Sequence, residues 1–117
     1  MKKIKSFEHA LEVTHRPNVD FSNLPEDLRL YFENQYKAVV ITEAINDGWI
    51  ADYADHSQKK WFPIFYLSPS GFVFGCSICS YAYAFAGDAS RLAFKSEADA
   101  DHAGRTFTEI YAGIISK

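Results

Sequence analysis

The sequence predicts an α+β domain in the order α-α-β-β-β-α, with a three-stranded antiparallel meander covered on one face by helices. Three stretches carry that expectation. Residues 59–85 gather aromatic and β-prone side chains on either side of one turn signal, residues 25–47 hold a long helical pattern, and residues 96–114 repeat apolar positions at the helical period.

Taken in order, Ser6 is placed to N-cap a short helix in which Phe7, Ala10 and Leu11 share a face, and His15-Arg16-Pro17 closes it after Thr14. Residues 16–23 read as a connector pinned by Val19 and Phe21. The long helix opens at Pro25, whose missing N–H is harmless in a first turn, and Glu26 and Asp27 suit the positive end of its dipole. Leu28, Tyr31, Phe32, Tyr36 and Val39 form its inner stripe, opposite Arg29, Glu33, Asn34 and Lys37. Val40, Ile41, Ala44 and Ile45 lie at other azimuths, so the second half is expected to be covered on more than one side. Gly48 ends the helix, and Trp49 packs back onto it.

The polar residues 50–58 lead to the hairpin, in which Ser68-Pro69-Ser70-Gly71 turns between two β-prone runs. Phe72, Phe74, Cys76 and Ile78 alternate in one phase, while Tyr81, Tyr83 and Phe85 alternate in the other, which predicts a bulge near Cys79-Ser80. After a turn at residues 87–90, residues 91–95 form the expected third strand, with Leu92 and Phe94 inward. Ser96 caps a single last helix with Ala100, Ala103, Phe107, Ile110, Tyr111 and Ile114 on its apolar face. Gly104 falls on that face, where a missing side chain permits close approach to the sheet.

A chain of 117 residues suits one domain with one continuous core, and 48% hydrophobic with 23% charged residues is a globular composition. Twelve basic against fifteen acidic side chains give a net charge of -3, which removes any general attraction to nucleic acid or anionic lipid. No apolar run approaches the length of a membrane span or of a secretion signal, so a cytoplasmic location is expected. Two cysteines imply no disulfide scaffold.

Asn46-Asp47-Gly48-Trp49, Lys60-Trp61-Phe62-Pro63-Ile64-Phe65, Ser70-Gly71-Phe72, Ser90-Arg91-Leu92-Ala93-Phe94-Lys95-Ser96 and Ala103-Gly104-Arg105-Thr106-Phe107 resemble a functionally uncharacterised family of small proteins from gut bacteria and their phages. The resemblance spans residues 43–111 and lies in turns, hairpin and helix cap. It implies the element map and a phage or mobile-element origin, and it transfers no catalytic residue. Cys76 and Cys79 lie outside the shared pattern.

Cys76-Ser77-Ile78-Cys79 has the C-x-x-C form of half a zinc site or a redox pair. A tetrahedral site would need two more ligands from His9, His15, His56 and His102, none of which has the usual paired spacing, so Cys76, Cys79, His56 and His102 are weak metal candidates. The cysteines are expected to be buried thiols, with no metal or cofactor. Asp52, Asp55 and His56 share one loop and could bind a cation or act in acid–base chemistry, but their spacing suits turn formation better. No G-x-S-x-G elbow or glycine-rich phosphate loop occurs.

The surplus of aromatic residues remains. A sheet covered on one face leaves the other open, and Tyr66, Tyr81 and Tyr83 are the candidate interaction surface. The leading expectation is a small non-enzymatic interaction protein that binds a protein partner or itself. A single-stranded nucleic-acid module using sheet aromatics, disfavoured by the acidic balance, and a small metal-dependent or C-x-x-C redox protein are the alternatives.

Overall fold

Ser6 Oγ accepts the His9 amide at 3.1 Å, and the chain leaves the first helix through His15 at φ 59°, so α1 spans Phe7–Thr14 in a computed structural model that describes residues 3–82 and 90–115. Pro25 leads into α2, Glu26–Asn46, after which Asp47 and Gly48 take positive φ of 47° and 95° and turn the chain.

The inner stripe expected along α2 is covered only at its far end. Tyr36 meets the rings of Phe7 and Phe21, at 6.3 and 5.9 Å between centroids, whereas Leu28 and Phe32 are exposed. The reason is length: α1 has 8 residues and α2 has 21, about 12 Å against about 31 Å of helix. Asn34, expected outward, is instead buried against α4. A Cβ on Gly113 would lie 2.7 Å from Asn34 Cγ, and the Asn34 amide donates to the Leu30 carbonyl at 2.9 Å. A small residue on one helix thus admits a polar side chain from the other, with its hydrogen bond satisfied.

Strand β1 (Lys60–Ser68) pairs antiparallel with β2 (Gly71–Ser80), and Pro69 and Ser70 form the turn. The bulge is not at Cys79-Ser80. The register slips between the pairs Ile64↔Cys76 and Phe65↔Phe74, which leaves Gly75 as the extra residue on β2. Phe72 and Phe74 therefore face the helices, while Cys76 and Ile78 point the other way.

The expected third strand does not form: the described residues contain a two-stranded sheet only. Ser90–Leu92 is a 3-10 turn, and Phe94 alone bridges to Trp61, the two exchanging N–H···O bonds of 2.9 and 2.8 Å. The next hydrogen-bonded pair would set Leu92 opposite Pro63, which has no N–H to give, while Asn46 holds the other edge of the segment, its side chain donating to the Ala93 carbonyl at 2.8 Å and accepting the Lys95 amide at 3.2 Å. Ser96 then begins a helix at once, its Oγ accepting the Asp99 amide at 3.1 Å. Leu92 and Phe94 are both buried, as expected. Because Trp61 spends its backbone groups on Phe94, they face away from β2, and by alternation so does the position of Pro63, where the absent N–H costs no ladder bond.

The last helix is broken in two, α3 at Glu97–Thr106 and α4 at Thr108–Ile115. Phe107 adopts φ -113° and ψ 31°, and Thr108 Oγ1 donates to the Gly104 carbonyl at 2.7 Å, taking the place of the helical amide bond. The break lets buried Phe107 and Tyr111 enter one core with Ile41, Ile45, Phe94 and Ala103. A smaller cluster joins Phe62, Ala51 and Ala93, with Trp49 and Tyr53 packed against it. No helix among the described residues is long and apolar enough to cross a membrane.

Candidate interaction surface

The inner face of the hairpin is bound tightly to the helices. Phe65 lies 5.0 Å from the Tyr111 ring and 4.9 Å from that of Phe72, in a stacked pair. Gly104 of α3 is buried against the same face, where a Cβ would meet the Phe74 ring at 2.6 Å and Pro63 Cβ at 2.9 Å. Ser77 Oγ donates to Asp101 Oδ1 at 2.6 Å and joins β2 to α3 a second time. Gly104 is thus the close-approach point that its place on the apolar face implied.

The outer face carries Ile64, Tyr66, Val73, Cys76 and Ile78, all exposed, with Tyr66 at 65% and Val73 at 54%. Pairing brings Ile64 beside Cys76 and Tyr66 beside Val73, so these side chains form one patch. Its base is covered, where the smaller cluster buries Phe62. No charged residue occurs between Lys60 and Asp88 in the sequence. Of the three tyrosines singled out for this face, Tyr66 is on it, Tyr81 lies exposed just beyond the end of β2, and Tyr83 falls outside the described residues.

Cys76 and Cys79 are free and exposed, which corrects the expectation of buried thiols. The bulge at Gly75 is the cause for Cys76, since it turns that residue to the uncovered face. Three positions apart on a strand, the two thiols belong to opposite faces. His56 is exposed in its loop. His102 Nε2 lies 2.7 Å from the Ile4 carbonyl and Nδ1 3.3 Å from Thr106 Oγ1, so His102 ties the N-terminal segment to α3. Among the described residues no group of three or more His, Cys, Asp or Glu gathers as a metal site.

Asp52 and Asp55 shape their loop through backbone contacts. Asp52 Oδ1 accepts the Ala54 amide at 2.9 Å, and Asp55 Oδ1 accepts the Ser57 hydroxyl at 2.6 Å and the Ser57 amide at 3.0 Å. Those bonds from Ser57 hold the Asp55 carboxyl below its ordinary value of 3.8. The same loop closes over Lys60, which sequence reasoning passed over because a lysine at a strand start gives no sign of burial. Lys60 is 0% exposed, and its ammonium donates to the carbonyls of Asp55, Gln58 and Tyr81 at 2.8, 3.0 and 2.6 Å, with the Tyr53 ring at 5.1 Å.

A cleft of about 620 Å³ opens at the C-terminal end of α2, walled by Val13, Val39, Trp49 and Ile50 and edged by Glu43, Asp47 and Arg91. Arg16 holds Glu43 through two hydrogen bonds of 2.7 and 3.3 Å, and the bond to Glu43 raises the Arg16 guanidinium above its ordinary range. Nothing in the sequence pattern marks this cleft, since its parts come from α1, α2, the following turn and the 3-10 turn.

Comparison of the chain with protein-family models, curated proteins and solved structures gave no match.

Proposed function

We propose that this chain is a non-enzymatic interaction protein that docks another protein chain on the outer face of its hairpin. The observation that carries the reading is the patch of Ile64, Tyr66, Val73, Cys76 and Ile78, exposed on a sheet whose other face is packed on helices. Apolar side chains grouped on one surface gain by excluding water, and aromatic ones are favoured anchors at interface centres. The absence of any Lys or Arg between Lys60 and Asp88 supports a protein partner over a polyanion, because no phosphate would be neutralised there. A second copy meets this face without like-charge repulsion, so self-association is the first case to test. An accessory role in a phage or mobile element belongs to the same proposal, and neighbouring genes for such elements are its simplest check.

Sedimentation velocity over a concentration series tests the surface. The protein is expected to associate reversibly, and Ile64→Lys with Val73→Lys to return it to monomer with little change in melting temperature. Alkylation of Cys76 should slow as concentration rises. A strictly monomeric protein whose Cys76 reacts at one rate at every concentration removes self-association from the reading.

A further inference from the structure

We infer that the cleft at the C-terminal end of α2 binds a compact zwitterion with an apolar body, the chemistry shared by free apolar amino acids and dipeptides. The cleft is independent of the hairpin face. Its volume of about 620 Å³ falls in the range of small-molecule sites.

The argument rests on two opposite charges that share the cleft without using each other. Asp47 and Arg91 both line it, yet neither side chain makes an ion pair or hydrogen bond with another described residue. Glu43, at the same rim, differs in being held by Arg16 at 2.7 Å. Asp47 stands just past the C-terminal end of α2, and its carboxylate favours a positive group on that side of the cleft, the Lys95 ammonium being engaged by the Ile45 carbonyl at 2.8 Å. Arg91 offers a planar fork suited to a carboxylate, on a turn anchored by the buried Leu92. Trp49 and Ile50 line the same cleft and supply an apolar surface. A ligand with ammonium and carboxylate would meet Asp47 with one and Arg91 with the other, while its side chain displaces water from the apolar wall. A simple cation or a simple anion would satisfy one charge and oppose the other.

Isothermal titration calorimetry with L-leucine, L-methionine, L-phenylalanine and L-leucyl-L-leucine, followed in parallel by the Trp49 indole resonance, tests this. At least one probe should bind saturably, at least tenfold tighter than isoamylamine or isocaproate, and the dipeptide against the free amino acids identifies the source. Arg91→Gln and Asp47→Asn should each weaken binding about ten- to a hundredfold, as loss of a charged hydrogen bond does, without lowering the melting temperature. No saturable binding of any of the four probes, equal binding of the amine or the carboxylate alone, or wild-type affinity in both variants would overturn it.

Discussion

At the scale of single residues, the buried ammonium of Lys60 is held by three carbonyl dipoles and an aromatic face, with no carboxylate among the described residues bonded to it. Replacing it with a chain of similar length removes the donor and leaves those carbonyls facing one another. Lys60→Met is therefore expected to cost about 3 kcal/mol, since each acceptor cut off from water costs roughly 1–3 kcal/mol. Lys60→Arg should recover only part of this, because a planar fork does not match three convergent acceptors. Chemical denaturation of the two variants gives the comparison, and equal stabilities of Met and wild type would show that water replaces the ammonium. Gly104 works by absence. Gly104→Ala puts a methyl group into Pro63 and Phe74 and should cost about 1–3 kcal/mol, whereas Glu109→Gln, on an exposed position of α4, should stay within about 0.5 kcal/mol. Asp101, one turn before Gly104, would be a poor control because it accepts the Ser77 hydroxyl.

At the scale of elements, side chains decide where the regular structure stops. Asn46 occupies the backbone of Ala93 and Lys95, so Asn46→Leu should free two buried polar groups and lower stability by about 2 kcal/mol. Amide exchange at Lys95 is the specific readout, and unchanged protection there would show that the bond does not hold the segment. The loop over Lys60 should respond to acid. Ser57 holds the Asp55 carboxyl below 3.8, so the contribution of this turn is complete above the unfolded value and is lost as pH falls through the lower folded value. The Ser57 amide resonance should report that titration below about pH 4. Ser57→Ala, which removes the hydroxyl donor, should move its midpoint upward toward the ordinary value. A midpoint that does not move would assign the shift to another cause.

At the scale of the whole molecule, the helices and the inner sheet face form the main core, and among the described residues apolar side chains stay exposed outside it on the outer hairpin face and at the start of α2, at Leu28 and Phe32. Tyr66 separates an interface role from a packing role. As a 65% exposed residue it should tolerate Tyr66→Ala within about 0.5 kcal/mol, while association weakens. A loss of several kcal/mol in a thermal melt would instead place the ring in the core and remove the anchor from the proposed surface.

The sequence by itself determined those features whose cause lies within a few residues. Ser6 and Ser96 cap the helices that follow them, Gly48 ends α2, Pro69 and Ser70 turn the hairpin, and the bare face of Gly104 marks contact with the sheet. The tertiary structure decided what depends on a distant partner. Asn46, far along the chain, holds the outer edge of residues 91–95, which meet β1 at one bridge only, and a helix whose apolar period is unbroken is split at Phe107. Gly75 moved the register slip along β2 and with it the face on which Cys76 stands. The cleft needed three separate segments to meet: α1, α2 with the turn that follows it, and the 3-10 turn. Periodicity reports which side chains can share a face, but only packing selects which face is covered, because that depends on the length and position of the neighbour.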